Sequence, residues 1–307
     1  MMYALAACWL GFLALRLVGA DGSRLTAAAL ALTPYVAGFG LVVGAVGAAL
    51  LEPVGGGLLL AVALVLTGLV LPRAFGSKDP LPGGPRLRVL SVNLYLGRAD
   101  PAAVVGLARE HRVDVLSLQE LTADAAERLT AAGLPDVLPY AQFEILEHAH
   151  GSGLAARHPL LKRDLARRSI MAQPSALVDL PGAAEIEVVA VHPMPPVRPH
   201  GAANWRRELA GLPGARPTSP YRLLAGDFNA TLDHGALRSL LRRGYRDAAA
   251  AVGAGLRPTW PTNRPLPPVT LDHVLVDTRC AVTEFRVLSV PGSDHRAVLA
   301  EIVLPIQ

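Results

Sequence analysis

Apolar and polar positions divide this chain into two unlike parts. Residues 25 to 51 carry no charged side chain, and after a lone Glu52 the run from Pro53 to Pro72 is again uncharged. Each run is long enough to cross a bilayer core of about 30 Å as a helix, which takes roughly 20 apolar residues. Residues 1 to 20 form a third apolar segment; its Arg16 lies near the segment's end, where a long stem carries the charge back to the interface. Val18-Gly19-Ala20 also fits the cleavage site of a signal peptide, but no basic residue precedes the apolar stretch, which favours a retained span. Pro34, Gly38, Gly40, Gly44 and Gly47 inside the second run suit close packing between membrane helices. The pattern predicts residues 1 to 72 as an anchor of three transmembrane helices.

Residues 73 to 85 are rich in proline and glycine and cannot continue a helix, so they are expected to act as a tether. Residues 86 to 307 then change period, with short β-branched runs alternating with amphipathic stretches. Strands are expected at 86 to 93, 113 to 118, 153 to 157, 175 to 180, 185 to 191 and 221 to 225. Asp100-Pro101 and Thr122 open helices that run to about His111 and Ala132, and further helices are expected near 202 to 212 and 235 to 243. The last strands, near 271 to 277, 282 to 289 and 296 to 304, lack intervening helices and should pair antiparallel. Such alternation implies one large α/β domain with helices outside stacked sheets.

Composition adds little. The chain has 29 Lys+Arg against 25 Asp+Glu, a net charge of +4, far from the dense basic stripe of a dedicated nucleic-acid binder. Cys8 sits in the first apolar segment and Cys280 in the domain, so no intramolecular disulfide is expected. Basic residues flanking the spans, Arg16, Arg24, Arg73 and Lys78, taken alone would put the domain in the cytoplasm.

Candidate chemistry lies where apolar runs end. Leu90-Ser91-Val92-Asn93, Leu116-Ser117-Leu118-Gln119-Glu120, Val189-Ala190-Val191-His192, Leu224-Ala225-Gly226-Asp227-Phe228-Asn229 and Gly292-Ser293-Asp294-His295 each set polar residues at a strand end. Taken singly, an Asn there is an ordinary turn residue and a Glu an ordinary helix cap. Together, carboxylates, an amide and imidazoles are the equipment of metal-assisted phosphoester hydrolysis.

The ordered set Ser-Val-Asn, Leu-Gln-Glu, Val-His, Gly-Asp-Phe-Asn, Leu271-Asp272-His273 and Ser-Asp-His resembles the endonuclease/exonuclease/phosphatase superfamily over about Arg86 to Val303. The resemblance implies a four-layer α/β/β/α sandwich. It implies Mg²⁺, with Mn²⁺ as an alternative, held by Glu120, Asn93 and Asp294. His295 would be the general base oriented by Asp272, Asp227 and Asn229 would position the nucleophile and the phosphoryl group, and His192 would donate to a nonbridging oxygen. Gln119 is expected to support that set from behind, and Trp260 either to pack beneath substrate or to serve the core. His273 stands where the family often has an aromatic residue, and His148, His150, His158, His200 and His234 read as surface or loop residues.

After His192 the loop Pro193-Met194-Pro195-Pro196-Val197-Arg198-Pro199-His200 is stiffened by proline and poor in phosphate contacts. Joined to three apolar spans, it resembles the membrane-anchored bacterial branch of that superfamily, which includes a protein linked to teicoplanin resistance. That likeness implies a multi-pass membrane protein with an extracytoplasmic domain acting on a lipid-linked phosphate or diphosphate. The competing expectations are a nuclease acting on DNA or RNA and a non-catalytic, membrane-tethered binding module.

Overall fold

The computed structural model describes residues 1–77, 82–180, 185–197, 201–218 and 220–306. The N-terminal part is helical: α1 Met2–Val18, α2 Arg24–Ala31, α3 Thr33–Leu50 and α4 Pro53–Val70, with a 3₁₀ turn at Leu71–Ala74. Helices Thr33–Leu50 and Pro53–Ala74 are long and apolar enough to cross a membrane, and α1 is shorter. Only 28% and 33% of those two helices is buried, unlike a core helix of a soluble domain, and Phe39, Val42, Leu64 and Val65 face outward. At Gly56 a Cβ would lie 2.0 Å from the Ala48 backbone nitrogen, so α3 and α4 approach closely. Gly40, Gly44 and Gly47 are buried, whereas Gly38 faces open space.

The uncharged run 25 to 51 is therefore two helices, not one. Pro34 opens α3, and Ser23 separately caps α2 by accepting from Thr26 N at 3.2 Å.

In the domain the chain runs β1 Arg86–Asn93, α5 Pro101–Glu110, β2 Val115–Gln119, α6 Ala123–Ala131, α7 Leu134–Val137, β3 Tyr140–Glu144, β4 Ser152–Ala156, β5 Leu160–Arg163, β6 Ser175–Asp179 and β7 Glu185–Val191. It continues α8 Gly201–Gly211, β8 Tyr221–Asp227, α9 Gly235–Leu241, β9 Tyr245–Asp247, α10 Ala248–Ala251, β10 Asp272–Asp277, β11 Ala281–Leu288 and β12 Ala297–Val303. Two mixed six-stranded sheets result, ordered β11-β12-β1-β2-β4-β3 and β5-β6-β7-β8-β10-β9. One core lies between the sheets, from Leu87, Val89, Leu154, Val188, Leu223 and Val274 among others. A second packs α5 and α6 on the first sheet, and a third packs α8 and α9 on the other. This is the α/β/β/α sandwich.

The pairing expected of the last strands holds only for β11 and β12; β10 pairs with β8 and β9 in the opposite sheet. Ser293 to His295 lies between β11 and β12, so the two sheets contribute facing halves of whatever their ends build. The expected tether is also revised. Arg73 is docked on Asp233, Ser77 N donates to Ala251 O at 2.8 Å, and Gly84 N donates to Leu304 O at 3.1 Å, so the described parts of residues 73–85 lie on the domain.

Candidate active site

Alternation along each strand explains why polar groups collect at one end of the inter-sheet core. Leu87 and Val89 face the opposite sheet, and two residues on so do Ser91 and then Asn93; Val188 and Ala190 lead to His192, and Leu223 and Ala225 lead to Asp227. The transition is stitched by buried hydroxyls and an amide. Ser117 Oγ donates across the gap to Ala225 O at 2.8 Å and accepts from Gln119 Nε2 at 2.8 Å, while Ser91 Oγ donates to Gln119 Oε1 at 3.1 Å. Gln119 thus supports the site from behind. A Cβ on Gly226 would fall 1.9 Å from Val191 O, so only glycine lets the ends of β7 and β8 approach closely enough to set His192 beside Asp227.

The chain then turns sharply to aim its side chains. Glu120 and Asn229 have φ of 54° and 48°, a region costly for any residue with a Cβ and rare for glutamate. Glu120 accepts from Leu96 N at 2.8 Å and from Asn93 Nδ2 at 3.3 Å; the same amide nitrogen donates to Asp227 Oδ2 at 3.1 Å. Asn93 Oδ1 accepts from Tyr95 N at 2.9 Å, so its amide nitrogen, not its oxygen, faces the two carboxylates. Asp227 Oδ1 accepts from Asn229 N at 2.8 Å, and Asn229 Nδ2 donates to Pro193 O at 3.1 Å.

On the other side His295 Nδ1 donates to Asp272 Oδ2 at 2.8 Å, and His295 Nε2 lies 3.7 Å from Asp227 Oδ2. Ser293 Oγ fixes this turn, accepting from His295 N at 3.0 Å and donating to Asn93 O at 2.7 Å. Asp294 accepts from Trp260 Nε1 at 3.2 Å and pairs with Arg264 at 3.6 Å, placing Trp260 at the site's edge, its ring centroid 6.2 Å from that of His295.

Electrostatics follow from burial. Desolvation pushes the Asp227 carboxyl up to about 7 and raises Glu120 as well. Burial opposes the His295 cation, but Asp272 and Asp227 outweigh it and push its pKa up to about 10. His192, buried and beside His295, is pushed down to about 3 and is neutral; its Nδ1 is a buried nitrogen with no hydrogen-bond partner. Among the described residues, Asp227, Asp272 and His295 form the one group of three whose ligand atoms lie within 4.8 Å of one another. Because Asp272 is already committed to His295 Nδ1, the more open oxygen face is that of Glu120 and Asp227. Hard carboxylate oxygens, desolvated and beside the His295 imidazole, suit a hard divalent ion.

All the strand-end residues singled out in the sequence converge on this cleft except that Asp294 turns its oxygen toward Trp260 and Arg264. Two other readings are corrected. His234 is buried at the start of α9, Nδ1 accepting from Thr231 N at 2.9 Å and Nε2 donating to Ala27 O at 2.9 Å, so it joins the domain to α2. Arg16 does not reach back to an interface: its side chain is 6% exposed and its Nε donates to Asp233 Oδ1 at 3.1 Å. His273, on the far face of β10, donates to Asp247 Oδ2 and Ala230 O, each at 2.8 Å. His200 falls outside the described residues.

A model of the Endonuclease/Exonuclease/phosphatase family matches residues 90–295. The chain belongs to that family. Members are divalent-metal-dependent hydrolases of phosphoester bonds, and the chain is such an enzyme. A member from Beutenbergia cavernae DSM 12333 has 20% identity and TM-score 0.56 over 72% of each chain. One from Leptotrichia buccalis C-1013-b has 18% identity and TM-score 0.52, covering 70% of this chain and 99% of that one. D. rerio TDP2 complexed with single-strand DNA product has 17% identity and TM-score 0.54, covering 71% and 98%. These identities speak to the shared fold alone. No curated protein matches the chain.

Proposed function

We propose that the protein is a membrane-bound, Mg²⁺-dependent phosphoesterase acting on a lipid-linked phosphate or diphosphate. The observation that carries the reading is the His295–Asp272 pair facing the Glu120–Asn93–Asp227 cluster in a domain docked directly on long apolar helices.

In this reading Glu120 would be the principal ligand of the ion, with Asp227 facing it, Asn93 holding the two carboxylates toward one another, and Asp294, bonded to Trp260 and Arg264, standing at the edge of the metal site. A divalent cation, when bound, polarises a phosphoryl oxygen and meets the Asp227 charge that otherwise helps to keep a second proton on His295. His295 then takes the proton of the attacking water at Nε2, because its Nδ1–H is committed to Asp272, which fixes the tautomer and steadies the imidazolium. Asp227 and Asn229 position water and phosphoryl group. His192, neutral, donates one hydrogen bond to a nonbridging oxygen, an interaction that strengthens as charge builds there.

The bilayer holds the protein through the N-terminal helices, with the domain on the extracytoplasmic face, where a lipid-linked diphosphate is concentrated near the tethered site. A periplasm-dependent reporter fused after Gln307 reads active if so, and a signal only from a cytoplasm-dependent reporter overturns that placement. Phosphate release from undecaprenyl diphosphate by the purified full chain with Mg²⁺ tests the chemistry. Turnover lost in Glu120→Ala is the expected result; no turnover, or turnover indifferent to that change, defeats the proposal. Plasmid nicking abolished by His295→Ala would instead assign a nuclease.

A further inference from the structure

The active-site cleft is not made by the catalytic domain alone. It is a cavity of about 550 Å³ lined by Glu120, Asp227, Asn229 and His295 and also by a wall of Ala28, Ala31 and Leu32. Those three residues come from α2 and its end, between the first and second apolar helices. A segment that the sequence assigns to the anchor therefore lines the site. We infer that α2 receives the first carbons of the substrate's hydrocarbon chain and guides it from the phosphate toward the bilayer, so that this wall selects phosphorylated lipids over water-soluble phosphoesters. The inference rests on the phosphoesterase reading.

Three observations carry it. First, α2 is fixed to the site. Ala27 O accepts from His234 Nε2 at 2.9 Å, and Tyr35 Oη, one turn into α3, donates to Pro268 O at 2.7 Å, so both ends of the wall are bonded to loops that also line the cleft. Ala28 is nevertheless exposed and Ala31 half-exposed, both on the cleft side, where small side chains leave a shallow apolar face.

Second, the rim is apolar where water would otherwise meet it. Leu96, Val197 and Leu266 line the cleft and are 40%, 55% and 49% exposed, and Leu25 at the outer start of α2 is 73% exposed. Clustered apolar side chains of this kind mark a surface that meets another apolar one. Because α2 joins the domain-side ends of α1 and α3, this rim lies at the level where those helices leave the membrane in the proposed arrangement.

Third, the described lining of the cleft is poor in positive charge. Among the described residues Arg264 is the arginine that lines it, and it is paired with Asp294. Gripping a nucleic-acid strand takes a cationic track as well as stacking platforms of the kind Tyr95 and Trp260 could offer. One phosphate group at the carboxylate–histidine end with hydrocarbon leaving along α2 matches the lining; a string of phosphates does not.

Each methylene moved from water onto such a wall is worth about fourfold in binding. The test uses the full chain at one fixed detergent concentration with Mg²⁺ and a series of n-alkyl diphosphates of increasing length, each below its own micelle-forming concentration, read by phosphate release. The slope of log kcat/KM against chain length is the readout. The wild type is expected to gain about fourfold per added methylene over the first carbons. Ala28→Glu, an exposed position that tolerates the change sterically, flattens the slope, and Ala28→Leu preserves it. Equal kcat/KM at every length in the wild type, or an unchanged slope in Ala28→Glu, overturns the inference while leaving the phosphoesterase reading intact. No turnover at any length overturns both.

Discussion

Asp233→Ala probes how firmly the helices are joined to the domain. Asp233 is fully buried and receives Arg16 Nε at 3.1 Å and both terminal nitrogens of Arg73, at 2.8 and 2.6 Å. The two arginine side chains are themselves 6% and 11% exposed, so removing the carboxylate leaves two largely buried cations without their shared anion. Breaking a buried pair in this way costs about 3–5 kcal/mol. Arg73, at the rim, can turn outward and recover part of its hydration, which places the expected loss near 3 kcal/mol by the same rule. For a domain of this size that is a fall of roughly 6–12 °C in Tm, read by thermal unfolding of the purified full chain in detergent. The control replaces the whole network: Arg16→Met, Arg73→Met and Asp233→Leu together should recover most of the loss, because apolar substitution of a complete buried ion cluster is often neutral. A Tm for Asp233→Ala within about 2 °C of wild type would show that the junction carries little energy, given the same scaling. A triple variant as unstable as the single would show that uncompensated charge is not the cause.

His295→Ala should lower kcat by about 10²–10⁴ with substrate affinity little changed, and Asp272→Asn should fall in the same direction while altering the pH–rate profile; a loss under tenfold for His295→Ala contradicts its role as base. Chelation should abolish phosphate release, added Mg²⁺ should restore it, and Glu120→Gln should raise the Mg²⁺ needed for half-maximal activity; full activity in excess chelator rules the metal out. His273 has its pKa raised because, although burial opposes its charge, both ring nitrogens donate, one of them to Asp247. Its stabilising contribution is thus complete below its ordinary value of 6.5 and is lost as pH rises through the higher folded value, so the Tm advantage of wild type over His273→Phe should shrink with rising pH. A pH-independent difference in Tm refutes this.

Much of the fold was legible because its inner strands obey simple rules. β1, β2, β7, β8 and β12 are buried over most of their length and read as largely apolar stretches, so their ends fall within a few residues of the sequence-based limits. The strands that escaped notice, β3, β5 and β9, are edge strands or nearly featureless ones: β3 is exposed at Tyr140 and Ala141, β5 carries Lys162 and Arg163, and β9 has three residues. A strand with a partner on one side only has no need of a two-sided apolar pattern. The sheet to which β10 belongs was hidden for a different reason, since adjacency in sequence favours a hairpin and nothing local announces a crossing to the other sheet. The division at Leu32 did have a signal, Thr33-Pro34, with proline at a helix start. Asp233 and His234 had none, because their burial is explained by partners 160 to 217 residues away in the chain.

That long-range pairing bears on how the site is held. The segment from Asp227 to His234 leaves β8 with Asp227 and Asn229 turned toward the cleft and ends with Asp233 and His234 turned toward α1, α2 and the Arg73 turn. Its middle is pinned as well, by Trp205 Nε1 donating to Phe228 O at 3.0 Å and His273 Nε2 donating to Ala230 O. Asn229, with a backbone φ of 48°, lies between neighbours that these buried polar bonds fix on both sides. Loss of the helices would take Arg16 from Asp233 and the Ala27 acceptor from His234, loosening the far end of the segment that carries Asp227 and Asn229. The N-terminal helices therefore bear on the geometry of the cleft through the segment Asp227 to His234, which joins them to it.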